Sequence, residues 1–392
     1  MSACVNTVSI NSQFDGGAIE VLAASDPANI RLALRPDNAA DFKQWFYFRV
    51  LSPVGQPLVM QIENAAEAAY PNGWPGYQAV ASHDRQTWFR VPSRYEQGML
   101  KIEYTPTQAT TWFSYFEPYS WERHLNLLAW AQAQPDVQLT DVGLTVQGRP
   151  LSMLRIGTPA AHKKRVWVIA RQHPGETMAE WFVEGLLEKL CAVHPKDINQ
   201  EADAVSTTSA TTSALTNCVW YVIPNMNPDG AYLGNLRTNA AGANLNREWL
   251  EPSATRSPEV LAVREAIAHI GVDLFLDVHG DEGLPYVFIE GGESLPSFSD
   301  SQRAAQARFF ATFLKTSADF QTEQGYPPGA DTKTNLSLAS KYIGHTHGCL
   351  SMTLEMPFKD NANQPNPRVG WNGARSKALG AACVQPILAA LQ

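Results

Sequence analysis

Short apolar stretches punctuated by Pro, Gly, Asn and Asp fill the first third of the chain. IRLALR (30–35), QWFYFRV (44–50), PLVMQIEN (57–64), YQAVAS (77–82), QTWFRV (86–91), MLKIEY (99–104) and TWFSYF (111–116) each read as a strand. No long helical period interrupts them. Short strands with turn residues between them predict an all-β sandwich domain over residues 1–117.

The period changes at EPYSWERHLNLLAWAQAQ (117–134), where Trp121, Leu125, Leu128 and Trp130 fall near helical spacing. Beyond it strands alternate with helices. RVWVIAR (165–171) and NCVWYVIPN (217–225) read as strands buried on both faces, and VDLFLDVH (272–279) and CLSMTLEMPF (349–358) as two more strands. TMAEWFVEGLLEKL (177–190) places Ala179, Phe182, Val183, Leu186, Leu187 and Leu190 on one helical face. SPEVLAVREAIAHIG (257–271) predicts a helix with Ser257 as N-cap, Pro258 in its first turn and Gly271 at its end. SDSQRAAQARFFATFLKTSA (299–318) and RSKALGAACVQPILAAL (375–391), the latter with a proline kink, predict two further helices. This alternation predicts an α/β domain over 118–392, a mostly parallel mixed sheet flanked by helices. DAVSTTSATTSALTN (203–217), polar and low in complexity, reads as a surface loop.

Composition narrows the class. Hydrophobic residues are 44% and charged residues 17% of 392, enough for a full core in two domains and against disorder. A net charge of −8 without long like-charge runs argues against nucleic acid and anionic membranes as partners. No apolar run reaches the roughly 18 residues of a membrane span. The opening MSACVNTVSINSQFDGG lacks the basic and apolar regions of a secretory signal, and none of the five cysteines forms a CxxC pair. The expectation is a cytoplasmic protein with reduced thiols, with a homo-oligomer left open.

Candidate chemistry sits at strand ends. His173 and Glu176 lie between a buried strand and an amphipathic helix, where α/β folds place their sites. Pro174 disfavours helix at His173 and Gly175 permits a tight turn, so both side chains can aim at one point. His279 ends VDLFLDVH before Gly280, and Glu355 shares a strand face with Ser351 and Thr353. A carboxylate there is costly unless it is paired or used. Taken singly, each could be a surface or structural residue. Together, two histidines and a carboxylate supply three zinc ligands with a fourth position for water, and a second carboxylate can take that water's proton. The loop-rich segment 225–249 adds Arg237, Asn246 and Arg247, able to bind a carboxylate through paired hydrogen bonds or to stabilise an oxyanion.

In this order, HPGE (173–176), NPDG (227–230), Arg237, NLNR (244–247), DVHG (277–280) and TLE (353–355) resemble the zinc metallocarboxypeptidase family related to carboxypeptidase A. VGLTVQGRPLSMLRIG (142–157) is similar to the first strands of that family's domain. QWFYFRV, GMLKIEYTP and TTWFSYFEPYSWERHLNLL resemble the β-sandwich that precedes the catalytic domain in cytosolic carboxypeptidases. The resemblance implies one zinc per chain bound by His173, Glu176 and His279, with Glu355 as general base. It implies Arg237 at the oxyanion, and Asn246 and Arg247 on the C-terminal carboxylate of a peptide or protein substrate. For the family's mobile tyrosine, Tyr326 in QGYPPGAD is taken ahead of Tyr342. Lys341, with Lys333 as runner-up, stands about where a basic residue would favour an acidic C-terminal side chain. His345 and His347 in GHTHG read as pocket lining or a solvated turn. Two other functions fit parts of the pattern: an amidohydrolase acting on N-acyl amino acids or γ-glutamyl peptides, and a catalytically inactive binding module. The sandwich argues against the first. The intact set of His173, Glu176, His279 and Glu355 argues against the second.

Overall fold

The structure is a computed structural model and describes residues 7–192, 214–327 and 335–392. Ten strands come first: β1 (Ser9–Asn11), β2 (Glu20–Ala23), β3 (Ile30–Ala33), β4 (Tyr47–Leu51), β5 (Leu58–Ile62), β6 (Val80–Ser82), β7 (Phe89–Arg90), β8 (Ser93–Glu96), β9 (Met99–Tyr104) and β10 (Thr110–Ser114). They form two five-stranded sheets, in the orders β1-β4-β10-β6-β7 and β2-β3-β5-β9-β8. All seven apolar stretches contribute strands. The periodicity missed β1, β2 and β8, which are three or four residues long and whose residues are exposed or half-buried. The inner layer is aromatic: Phe46, Phe48 and Phe113 are fully buried, and the Phe48 and Phe113 rings stack 5.6 Å apart.

Helix α1 (Trp121–Gln132) follows, capped by the Ser120 side chain accepting from Arg123 N. Its buried residues are His124, Leu127, Leu128 and Ala131, whereas Leu125 and Trp130 are 39% and 38% exposed. This corrects the helical face expected from Trp121, Leu125, Leu128 and Trp130. The polar His124 faces inward because a buried Glu180 carboxylate meets its Nδ1 at 2.6 Å.

The second sheet system comprises β11 (Val137–Leu144), β12 (Pro150–Ile156), β13 (Lys164–Ala170), β14 (Cys218–Ile223), β15 (Leu274–Asp281), β16 (Phe288–Glu290) and β17 (Leu350–Pro357). Its order is β11-β12-β14-β13-β15-β17-β16. The four strands β14-β13-β15-β17 run parallel, and the outer pairings are antiparallel. Helices α2 (Met178–Cys191), α3 (Pro228–Leu233), α4 (Pro258–Ile270), α5 (Asp300–Thr316), α6 (Ala339–His347) and α7 (Gly373–Ala390) complete the α/β domain. Alternation along β13 explains how the sheet is covered on both sides. Val166, Val168 and Ala170 share a core with the α2 and α7 residues, while Trp167 and Ile169 join Val260, Val263 and Ile267 of α4.

Strand β15 continues past His279 through Gly280 to Asp281, so His279 lies within the strand and not at its end. Gly280 keeps pairing because β17 extends alongside it, opposite Met356. Of the expected surface loop, residues 203–213 lie outside the described residues. Residues 214–217 are helical with Ala214 buried, an apolar contact the polar run conceals. Cys191, Cys218, Cys349 and Cys383 are unpaired. No helix among the described residues is long and apolar enough to cross a membrane.

Two glycines let α2 and α7 touch backbone to backbone. A Cβ on Gly380 would collide with the Phe182 carbonyl oxygen, and one on Gly185 with the Lys377 carbonyl oxygen. Gly380→Ala should therefore destabilise the protein by about 1–3 kcal/mol despite alanine's better helix propensity. Denaturant unfolding would check it; unchanged or increased stability would contradict this packing.

Candidate active site and metal centre

The turn after β13 is fixed before its functional side chains are considered. Arg171 takes φ +58°, an unusual conformation for a non-glycine residue. Its guanidinium donates to the Pro174 carbonyl at 2.9 Å, the Tyr119 carbonyl at 2.9 Å and Glu180 Oε2 at 2.7 Å. Glu180, in the first turn of α2, also receives Asn225 Nδ2 at 3.2 Å. These bonds hold residues 171–176 in a bend that points His173 and Glu176 to the same side.

His173 Nδ1 lies 2.6 Å from Glu176 Oε1, and His279 Nδ1 lies 2.7 Å from Glu176 Oε2. Glu176 Oε2 also accepts from Gly280 N at 3.1 Å. One donor atom from each of the three residues lies within 4.8 Å of the others, and all three residues are buried. The far nitrogens are engaged: His173 Nε2 meets Asn244 Oδ1 at 3.0 Å and His279 Nε2 meets Asp277 Oδ2 at 2.9 Å. With those N–H groups donating outward, both Nδ1 atoms can turn lone pairs toward Glu176. Two lone pairs and a carboxylate facing one another form an electron-rich set that suits a cation, and two nitrogens with one oxygen suit zinc.

The electrostatics agree. Burial lowers the His173 pKa to about 3, with Arg237 adding to the effect, so the imidazole is neutral as a ligand must be. Burial alone would raise Glu176, but His173 and His279 outweigh it and hold the carboxylate ionised. Burial alone would lower His279, but Asp277 and Glu176 push it well above its ordinary value, the same attraction that favours a cation there.

Register brings the other carboxylate in. His279 of β15 is paired with Glu355 of β17, and Phe288 of β16 flanks Glu355 on the far side. Burial, then Glu176 and Asp281, drive the Glu355 pKa well above the ordinary carboxyl value. The Tyr326 hydroxyl lies 3.0 Å from both Glu355 Oε1 and Asp281 Oδ2.

Arg237 stands opposite, its guanidinium 3.8 Å from Glu176 Oε1 and 5.1 Å from the Tyr70 ring centre. Its loop is held by Asp37 of the sandwich, whose carboxylate accepts from the backbone N–H groups of Leu236, Arg237 and Thr238 and from the Thr238 hydroxyl at 2.6–3.0 Å. Asn246 receives Ala339 N on its amide oxygen at 2.9 Å, and its amide nitrogen lies 3.3 Å from His279 Nε2. Arg247 donates to the Asn246 carbonyl at 2.8 Å.

All nine residues expected from sequence line one cavity of about 680 Å³: His173, Glu176, Arg237, Asn246, Arg247, His279, Tyr326, Lys341 and Glu355. Tyr342 does not line it; its ring packs beneath Arg264, 4.2 Å from the guanidinium. Lys333 lies outside the described residues. His345 and His347 end helix α6 outside the cavity wall, so they are not pocket lining, and the expected solvated turn is instead the last turn of a helix. His345 is exposed and His347 half-buried, on a helix whose Lys341 and Ile343 face inward. Sequence reasoning missed Asp277, Asn244, Asp37, Tyr70, Asp281, Glu282 and Glu290. Asp277 was readable, because two residues before His279 on a strand means the same face. Asp37 and Tyr70 carry no local signal, since their partners are far away in sequence.

Comparison with known proteins places this geometry in a family. Residues 10–116 match the cytosolic carboxypeptidase N-terminal domain, and residues 126–369 match the zinc carboxypeptidase family. The chain is 43% identical to an uncharacterized protein of Zymomonas mobilis over 378 residues, 96% of this chain and 95% of that one. It is 26% identical to human cytosolic carboxypeptidase 6 over 359 residues, 83% of this chain and 67% of that one. Among solved structures, it resembles a metallo-carboxypeptidase from Burkholderia cenocepacia (TM-score 0.93, 53% identity, 98% of this chain and 99% of that one). It also resembles a metallo-carboxypeptidase from Pseudomonas aeruginosa, solved in complex with (2-guanidinoethylmercapto)succinic acid (TM-score 0.90, 44% identity, 97% and 98% covered). With a family match over most of its length and these relatives aligned nearly end to end, the chain belongs to the zinc carboxypeptidase family and is a metallocarboxypeptidase.

Proposed function

We propose that the protein removes the C-terminal residue of peptides or proteins, and that it favours acidic ones. The observation that carries this reading is the single cavity in which the His173–Glu176–His279 cluster, Glu355 and the two arginines Arg237 and Arg247 converge. His173, Glu176 and His279 would hold zinc, which when bound supplies Lewis-acid polarisation of a carbonyl and lowers the pKa of water toward neutrality.

The chain's own groups account for the rest. Arg247, exposed at the cavity wall, offers a planar guanidinium to a terminal carboxylate, with Asn246 next to it. The succinic acid derivative bound by the Pseudomonas relative is a carboxylate ligand of the kind this pair would take. With the terminus held there, the last peptide bond lies over the histidine–glutamate cluster, between Arg237 and Glu355. Glu355 takes a proton from the attacking water and passes it to the departing amine. Its neighbour Tyr326 donates to the carboxylate and closes that side of the cavity. Arg237 presents positive charge to the oxygen that becomes an anion as the carbonyl is attacked, and its fixed loop avoids the cost of reorganisation. Lys341, buried at the cavity wall beside Ser340 and Thr353, provides the positive charge for an acidic terminal side chain.

Three outcomes follow. Glu355→Gln should retain zinc at wild-type stoichiometry while kcat falls by roughly 10²-fold or more; near wild-type turnover would remove Glu355 from the proton transfer. Arg247→Ala should raise KM for free-terminus peptides by roughly tenfold with a smaller change in kcat, and the wild type should leave C-terminally amidated peptides uncut. Equal cleavage of amidated and free peptides would show that the terminal carboxylate is not recognised. Asp277→Asn should weaken zinc binding by roughly 10- to 100-fold, measured by competition with a chelator, because it removes the charge that orients His279. Unchanged affinity would mean that the Asp277–His279 bond does not tune the site.

A further inference from the structure

Lys341 does not face the cavity as an isolated charge. It lies in the first turn of α6 and is only 1% exposed. Its ammonium donates to Glu290 Oε1 at 3.1 Å and to the Gly291 carbonyl oxygen. Glu290 ends β16, paired with Thr353 of β17, and its side chain also lines the cavity at 23% exposure. The wall between them is fixed: the Ser340 and Thr353 hydroxyls meet at 2.7 Å, and Ser351 Oγ donates to the Ser340 carbonyl at 2.7 Å. The positive partner is thus rigid and enclosed, and the negative partner sits nearer the opening.

An ammonium has three N–H donors, and two of Lys341's are used within the protein. A substrate carboxylate arriving at the third stands beside Glu290, and like-charge repulsion offsets part of the attraction to Lys341. A side-chain carboxamide meets no such conflict, since its oxygen can accept from Lys341 while its NH₂ donates to Glu290. We propose that Glu290 is a specificity-determining residue. It balances Lys341 and sets how strongly the cavity distinguishes a C-terminal Glu from a C-terminal Gln. The proposal rests on the reading that Lys341 faces the terminal side chain of the substrate. Glu290 then acts on binding, by its negative charge and as a hydrogen-bond acceptor, and no step of the chemistry passes through it.

The test uses the zinc-loaded full chain and two peptides that differ only in ending in Glu or Gln. The quantity read is the ratio of kcat/KM for the Glu peptide to that for the Gln peptide. Glu290→Gln should raise this ratio at least tenfold, mainly through a lower KM for the Glu peptide. Glu290→Asp, which draws the carboxylate back by one methylene, should move it in the same direction by less. Lys341→Met should lower it. A ratio unchanged by either Glu290 variant, with Lys341→Met lowering it as expected, overturns the role of Glu290 and leaves the pocket reading standing. A ratio unchanged in all three variants overturns both. Should Glu290→Gln fail to fold, a ratio in Glu290→Asp equal to wild type is enough to reject the proposal.

Discussion

The structure depends on a buried carboxylate held between two imidazoles that come from different strands. Glu176 and His173 arrive from the turn after β13, His279 from within β15, and these strands are parallel neighbours. Three titratable groups in one dry place repel or neutralise one another unless their protonation and charge are arranged. The surroundings supply that arrangement. Asp277 and Asn244 fix the outer nitrogens, Gln172 bridges Asp277 at 2.7 Å, and Trp249 in turn donates to Gln172 at 2.8 Å. The left-handed backbone at Arg171 is the strained point of this framework. The buried Arg171–Glu180–His124 chain of bonds is what over-determines it.

The same framework explains why the N-terminal sandwich is more than an appendage. Asp37 grips the backbone that presents Arg237, Tyr70 lies against the Arg237 guanidinium, and Ala69 to Gly73 form part of the cavity wall. Tyr115 of the sandwich stacks on Phe358, just beyond β17, with ring centres 4.7 Å apart. Phe358 lies three residues past Glu355, so the two cores meet where the second carboxylate is held. A catalytic sheet alone would carry His173, Glu176, His279 and Glu355, but its Arg237 loop would lose four hydrogen bonds to one carboxylate.

What the sequence revealed follows from how far each signal reaches. Strand and helix periods are local, so β13, β14, β17 and α2 were legible, including the apolar face of α2. The metal-type residues were legible because they sit at predictable places: a turn after a buried strand, and polar positions on otherwise apolar strands. Exposed edge strands such as β1 and β8 carry little apolar signal and were missed. The α1 face was misread because its inward residue is His124, whose partner Glu180 is 56 positions away in the chain. Long-range electrostatics was hidden for the same reason. Lys341 was visible as a basic residue near Glu355, but its counter-charge Glu290 lies 51 residues upstream on an edge strand. Asp37 acts on residues about 200 positions further along.

The distribution of charge around the cavity is itself directional. Glu176, Asp281, Glu282 and Glu355 gather on the side of the histidines, while Arg237 and Arg247 face them from the loop between α3 and α4. Coulomb attraction would collapse such an arrangement onto itself if the groups were mobile, yet Arg237 stops 3.8 Å from Glu176 because its loop is anchored elsewhere. Arg237 is therefore held short of full neutralisation and keeps positive potential in the cavity. On the proposed reading, a peptide whose only anion is its terminus would be oriented by that field before it makes contact, with its last bond drawn between Arg237 and Glu355. Rigid anchoring of each charge, more than the number of charges, is what would let one cavity attract a negative terminus while keeping four carboxylates beside it.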